Sequence, residues 1–362
     1  MTNRLYSIIT GSGRYIPTKV VENKDFLNRE FFTSTGERVQ KNNDEIISKF
    51  QEITDINQRT YVSDDLVASD IAYLAAKDAL DSSGTDKESL DYIIVAHNFG
   101  DVKHGTTSVD IVPSLASRVK AKLEIKNPFT VVYDLPFGCP GWLQGVIQAD
   151  YFLKSGDAKK ALVIGAETLS RVYDKHDIDS MIYSDGAGAV IMEAKESEEP
   201  IGILAHKTRS DAVAYAELLK MGDSYNPEVN SNGLYLKMNG RKLYEYAIST
   251  VPQLVKDCVD KISLPLDKIK KVLIHQANAK MDDAILNRFF RLFGIRPKDI
   301  PEGMMPMTIS ELGNNSVATV PILYDLITKG EMKGHHLNSG DHFIFASVGA
   351  GMNVNALVYK VA

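Results

Sequence analysis

Short unbroken apolar runs alternate along this chain with segments whose apolar residues return every three or four positions. Tyr6–Gly13 (YSIITGSG) reads as a strand running into a tight turn. Ala68–Gly84 (ASDIAYLAAKDALDSSG) reads as a helix stopped by its final glycine. Asp91–Asn98 (DYIIVAHN) and Phe129–Asp134 (FTVVYD) are continuous apolar runs of strand length, which predicts two buried strands. Beyond Cys139, apolar residues recur at Trp142, Val146, Ala149 and Leu153, the spacing of one helix face. AKKALVIGAET then predicts a further buried strand. Strands alternating with helices place the chain in the α/β class.

The pattern also repeats. Ala76–Asn98 (AKDALDSSGTDKESLDYIIVAHN) parallels Val255–Asn278 (VKDCVDKISLPLDKIKKVLIHQAN): helix, short loop, apolar strand, then histidine. YDLPFGCPG in the first half meets Ile309–Ala318 (ISELGNNSVA) in the second. Asp185–Ala194 (DGAGAVIMEA) echoes Val348–Lys360 (VGAGMNVNALVYK). Echoes in one order argue for a duplicated architecture with halves 1–196 and 197–362. The break falls near Glu193–Gly202, a charged run with a proline.

Composition narrows the function. The 362 residues are 44% hydrophobic and 24% charged, enough for a large core in a soluble globular protein. The net charge of −6 lacks the basic footprint of a nucleic-acid protein. No apolar run reaches the roughly 18 residues of a membrane span. MTNRLYSIITGSG lacks a secretory signal and two cysteines make no disulfide framework, so a reducing cytoplasm is the expected location. Neither Cys-x-x-Cys nor His-x-x-x-His spacing occurs, so neither zinc nor another cofactor is expected. The adjacent His335 and His336 in KGHHLNSG read as a polar loop. GSGR lacks the third glycine of a dinucleotide loop. SDGAGA lacks a phosphate-loop ending and reads as a tight turn with close backbone packing.

Cys139 stands between Gly138 and Pro140, at the seam between a strand and a helix. It is either a small core hydrophobe or a nucleophile at a helix N-terminus, where the dipole favours a thiolate. A nucleophile needs a partner from elsewhere in the fold. The duplication directs attention to matching strand ends in the second half, where His275 closes KKVLIHQAN and Asn314 lies in ELGNNSVATVPI. His97, the first-half counterpart of His275, reads as a polar loop residue. Cys258, in VKDCVDK, reads as a packed helical residue.

With these residues identified, the chain resembles the β-ketoacyl-acyl-carrier-protein synthase III family of the thiolase superfamily. The matching pieces are GSGRYIP, GCPG, YSDGAGAVIMEA, LKMNGRKLYEYA, IHQAN, GNNSVATVPI and the closing VGAG, in family order over nearly the whole chain. The resemblance implies a thiolase-like five-layer αβαβα fold, two pseudo-symmetric halves and a homodimer. It implies a catalytic Cys139, His275 and Asn314 set. Cys139 would take an acyl group from a thioester, and His275 and Asn314 would stabilise the enolate left when a malonyl thioester loses CO2. Backbone N–H groups of Cys139 and Ala350 would form the oxyanion hole, with Ala350 standing where much of the family has glycine. Asn314 at the third position also discriminates: thiolases proper place a second cysteine in the site, and hydroxymethylglutaryl-CoA synthases add a glutamate base. With Cys258 in a helix remote from any strand end, decarboxylative condensation is favoured over reversible thiolysis. The alternative is a specialised ketosynthase of a secondary lipid or polyketide pathway that joins two acyl chains. A non-catalytic binding subunit is disfavoured by the intact catalytic set.

Some positions depart from the family. Lys49 and Ile53 stand where relatives carry the Trp and Arg that hold coenzyme A, Asp55 replaces a glycine, and an extra stretch, Phe31–Glu45, precedes them. The primer is therefore expected on an acyl carrier protein, with acyl-CoA as the other possible donor. Val112 stands where some relatives place a bulky phenylalanine, and Val112 and Met238 are expected to line the acyl pocket, with room for a longer or branched chain. Lys280, Arg288 and Arg291 fall within about 80° on a helical wheel. Lys280 and Arg288 match basic family positions used for carrier docking, which Asp282 and Asp283 would weaken.

Overall fold

Two mixed sheets carry the fold, and one pairing pattern builds both. The computed structural model describes residues 4–229 and 233–362. The first sheet comprises β1 (Arg4–Tyr15), β2 (Tyr92–His97), β3 (Val131–Pro136), β4 (Lys160–Thr168) and β5 (Asp185–Ser197), in the spatial order β1-β5-β4-β2-β3. The second comprises β6 (Gly202–Ser210), β7 (Ile269–Ile274), β8 (His342–Gly349) and β9 (Asn353–Lys360), in the order β6-β9-β8-β7. From β1 or β6 inward, the pairings run antiparallel, antiparallel, parallel in both sheets. β3 adds one more parallel pairing to the first.

The helices that matter here are α1 (Asn43–Thr54), α2 (Ala68–Ser83), α3 (Leu115–Lys122), α4 (Gly141–Ser155), α5 (Gly240–Asp260), α6 (Ala279–Arg291) and α7 (Thr319–Thr328). Their apolar faces decide the layers. α7 buries every residue from Thr319 to Asp325, as a helix covered on all sides must. With α4 it fills the space between the sheets: Trp142, Val146, Val320 and Leu323 share one core with Ile94 and Val163 on one side, Leu273 and Phe345 on the other. α2 and α3 cover the outer face of the first sheet through Ala72, Ala76 and Val119. α5 and α6 cover the second through Val251, Val255, Ile285 and Phe289. The result is an αβαβα stack of five layers. Among the described residues no helix is long and apolar enough to cross a membrane.

Several local expectations are corrected. The glycines of YSIITGSG end no strand, because β1 runs on to Tyr15. A Cβ on Gly13 would come within 2.2 Å of the Ala79 nitrogen, so the glycine lets α2 lie directly on the strand. SDGAGA is likewise no turn: Gly186 and Gly188 are inside β5, where a Gly188 Cβ would meet Pro321 at 2.7 Å. The echo of this segment by Val348–Lys360 holds strand to strand, but the second glycine cluster lies in the turn before β9. FTVVYD is an edge strand, with Phe129 83% and Val131 49% exposed, because apolar composition cannot distinguish a covered edge from an uncovered one. His97 is no loop residue. It ends β2 buried, accepts from the Gly100 N–H at 3.0 Å, and places Nε2 3.1 Å from Asp134.

Candidate active site

The ends of β3, β7 and β8 and the loop before α7 converge at one end of the central layer. Open α/β sheets place their chemistry there, since strand ends expose groups that the sheet interior must pair. Cys139 lies in the loop between β3 and α4, with Pro140 as the helix N-cap. Two glycines bring this loop against the end of β8. Gly138 has φ 75°, and a Cβ there would sit 3.0 Å from the Ala350 nitrogen. A Cβ on Gly349 would sit 2.7 Å from the Cys139 nitrogen. The backbones of Cys139 and Ala350 are therefore neighbours by steric design. We expect Gly349→Ala to push the loops apart and lower kcat by about 10²-fold, as sub-ångström misplacement of reacting groups does. Steady-state kinetics beside a melting curve would separate this from unfolding.

IHQAN does three jobs. His275 follows β7, is held by its N–H to the Ala346 carbonyl at 2.9 Å, and is buried. Gln276 stitches this strand end to the chain that leads to Asn314: its Nε2 donates to Pro306 O at 2.8 Å, and its Oε1 accepts from Thr308 N at 2.8 Å and Ile309 N at 3.1 Å. Asn278 caps α6 by accepting from the Met281 N–H. Asn314 itself is clamped by its N–H to Ile182 O at 3.0 Å and by Ser184 N–H to its own carbonyl at 2.9 Å. Its Oδ1 accepts from the Ser316 N–H at 2.8 Å, which leaves its NH2 for the cavity.

Cys139, His275, Asn314, Ser316 and Ala350 line one cavity of about 240 Å³, walled by apolar residues that include Leu236, Met238, Leu243 and Val348. Met238, Leu243, Ala277, Met281 and Asn314 also line an outer cavity of about 710 Å³. Ile46, Lys49, Phe50 and Ile53 of α1 form its far wall, with Val39, Lys41 and Glu45 from the extra stretch or its end. The two spaces share this wall, and the inner one reaches Cys139. Asp55 closes α1 in the left-handed conformation at φ 60°, which explains why a glycine suits this position and how a short polar side chain replaces it.

Burial dominates the electrostatics. It pushes the Cys139 thiol up to about 11; a hydrogen bond from Ser316 Oγ at 3.3 Å pulls the other way, and nearby Glu167 adds to the rise. The resting group is thus a thiol, whatever a helix N-terminus favours on its own. Burial also drives His275 down to about 4, against a main-chain hydrogen bond with Ser316, so its imidazole is neutral near pH 7.

Other residues stand apart or were missed. Val112, 81% exposed on a loop, does not reach the cavity within this chain, whereas Met238 does. Lys280 and Arg288 lie exposed on α6, with Lys280 3.5 Å from Glu52 and Arg288 donating to Ile248 O at 3.3 Å. Asp282 does not weaken that face: it is fully buried, and burial pushes its carboxyl well above the carboxylate range. Sequence reasoning missed Glu167, Ser316 and Asp179. Glu167 is the last residue but one of β4, at the carboxyl end of the strands where sites form, a signal available in AKKALVIGAET. Asp179 lines the outer cavity, and burial, with Asp177 beside it, raises its carboxyl to about 7.

Known proteins match this arrangement. The profile for 3-oxoacyl-[acyl-carrier-protein (ACP)] synthase III matches residues 133–212, and that for the C-terminal part of 3-oxoacyl-[acyl-carrier-protein (ACP)] synthase III matches 259–361, together just over half the chain. The 3-oxoacyl-[acyl-carrier-protein] synthase III of Aquifex aeolicus VF5 superposes with a TM-score of 0.78 at 27% identity, over 98% of this chain and 99% of that one. The β-ketoacyl-[acyl carrier protein] synthase III of Thermus thermophilus gives 0.79 at 25% identity, over 98% and 99%. The priming β-ketosynthase from the R1128 polyketide biosynthetic pathway shares the fold, with 0.79 at 22% identity over 100% and 98%. The chain belongs to the 3-oxoacyl-[acyl-carrier-protein] synthase III family of condensing acyltransferases.

Proposed function

We propose that the protein condenses an acyl primer with a malonyl thioester, with Cys139 carrying the acyl group between the two half-reactions. One observation carries this reading: Cys139, His275, Asn314 and Ala350, from four separate segments, line the same cavity. In the first half-reaction Cys139 sulfur attacks the thioester carbonyl and expels the carrier thiol, leaving an acyl-enzyme. In the second, the malonyl C–C bond breaks, CO2 leaves, and its electron pair forms an enolate. The neutral His275 imidazole and the Asn314 NH2 donate to the enolate oxygen. The enolate carbon attacks the acyl group, whose oxyanion meets the N–H groups of Cys139 and Ala350, and collapse releases the sulfur. The two sheets would be the frames of two halves, 1–196 and 197–362, one supplying the nucleophile and the other the donors.

Intact mass after incubation with panels of acyl-CoA and acyl-carrier thioesters tests the assignment. An adduct that maps to Cys139 is expected, and no adduct from any thioester would overturn it. The same panel decides the donor. The outer cavity wall holds Lys49 and Ile53, no arginine lines it among the described residues, and the chain's single tryptophan, Trp142, is buried between the sheets. This supports a primer delivered by an acyl carrier protein, and with it a specialised ketosynthase that joins two acyl chains. Lys280 and Arg288 would dock the acidic carrier. Replacing both with glutamate should raise KM for the carrier-borne substrate by about tenfold and leave KM for the same acyl group on a small thiol unchanged.

A homodimer completes the reading. β3 is an edge strand that opens on exposed Val131 just after exposed Phe129, and exposed Val109, Ile111 and Val112 lie in the segment before α3. A second copy would cover this apolar edge and is the route by which Val112 would reach an acyl pocket. The free thiol of Cys139 suits the reducing cytoplasm we propose as its location.

A further inference from the structure

A chain of polar groups leads from the Cys139 sulfur through the cavity wall, where Ser316 and Asn98 stand, to the buried Glu167 behind it. Ser316 Oγ lies 3.3 Å from Cys139 Sγ and 3.3 Å from Glu167 Oε2. Asn98 Nδ2 donates to Ser316 Oγ at 3.0 Å and also to Glu167 Oε2. We propose that Ser316 and Glu167 form a proton relay, which accepts the Cys139 proton during acylation and returns it when the sulfur is released. The proposal rests on Cys139 being the acylated residue and adds a named acceptor for its proton.

The hydroxyl is placed for this. Ser316 adopts φ 53°, an unusual conformation for a residue with a side chain, and its N–H is tied to Asn314 Oδ1. Asn98 occupies an acceptor site of the hydroxyl, so its one proton has two destinations: the sulfur or the carboxylate. The titratable groups facing Glu167 are His97, from the end of β2 with Asp134 behind it, and Cys139; Asn98 and Ser316 are its neutral partners. No lysine or arginine reaches it in a hydrogen bond or ion pair among the described residues, and burial raises its carboxyl to about 7. The imidazole that lines the same cavity is a weaker base near neutrality, since burial holds His275 at about 4.

The protons balance. As sulfur attacks the thioester carbonyl, the thiol proton passes to Ser316 Oγ and the serine proton passes to Glu167. The sulfur–carbonyl bond forms, the carrier thiolate leaves and is protonated by solvent, and Glu167 keeps its proton. After condensation the departing Cys139 thiolate recovers a proton from Ser316, which takes one from Glu167.

The test follows Cys139 alkylation by iodoacetamide, and acylation by a donor that loads the wild type, by intact mass and peptide mapping from pH 5.5 to 9.5. Below its own titration Glu167 is protonated and blocks transfer. The wild-type rates should therefore rise with pH, bend near 7 and level off. Glu167→Gln and Ser316→Ala should lose that bend, climb steadily with pH, and react about 10²-fold more slowly at pH 7.5. The two variants lie on different elements, so one that does not fold leaves the other decisive, and melting curves report which. A wild-type profile without a bend near 7, or variants within threefold of wild type with the bend retained, would overturn the relay. Alkylation at Cys139 with no acylation from any thioester would overturn the enzyme reading instead.

Discussion

Cys139→Ala takes no acyl group: after incubation with any thioester that loads the wild type, its intact mass is unchanged and condensation falls by about 10⁴-fold or more. The reason is that the chain's one other cysteine, Cys258, is not placed to carry the group. Cys258 is fully packed in α5, its thiol donates to Ala356 O at 3.6 Å, and burial pushes it up to about 12. It has no access to a thioester, and the acceptor of its proton is a main-chain carbonyl, which is no base. The measurement that checks this is mass after loading, with proteolysis to locate the adduct. Full loading of the alanine variant would show that the sulfur at the base of the cavity is a bystander.

Asn314→Ala separates the two half-reactions. The variant should load the acyl group within threefold of wild type yet condense about 10²- to 10³-fold more slowly, since a preorganised donor to a developing oxyanion contributes about 3–4 kcal/mol. Under the proposed mechanism loading would not need the side-chain amide, because the N–H groups of Cys139 and Ala350 would serve that carbonyl. Decarboxylation would need it, because the proposal puts the enolate oxygen within reach of the Asn314 NH2. The substitution also frees the Ser316 N–H from Oδ1. Asn314→Asp controls for that: it keeps the acceptor for Ser316 but replaces the donor with a negative charge, and should decarboxylate no faster than the alanine variant. CO2 release from a malonyl thioester, measured apart from acyl loading, is the readout. Wild-type CO2 release by either variant would remove Asn314 from the second step.

The three central residues are legible in the sequence because their chemistry and positions agree. A cysteine at a strand–helix seam, a histidine after an apolar strand, and an asparagine after Gly313 each stand where an α/β chain exposes groups. The echo between 76–98 and 255–278 survives as helix and strand in both sheets. Glu167 leaves only a weak signal in the sequence, its place near the end of an apolar strand, because a glutamate there also reads as an ordinary strand end. What changes its meaning is Ser316, 149 residues away, laid against it by the loop before α7. Val112 differs: matched by position to a pocket residue, it sits 81% exposed on a loop away from the cavity of its own chain, a placement that sequence position alone does not reveal.

The sequence by itself determined which groups are present, the order of strands and helices, and the repeated plan, since periodicity and side-chain chemistry are carried by neighbouring residues. The tertiary structure alone decided that Cys139 rests as a thiol, that His275 is neutral, and that Glu167 has a proton affinity near neutrality. Those properties depend on how much water and which dipoles surround each group. Packed atoms from distant segments set that environment.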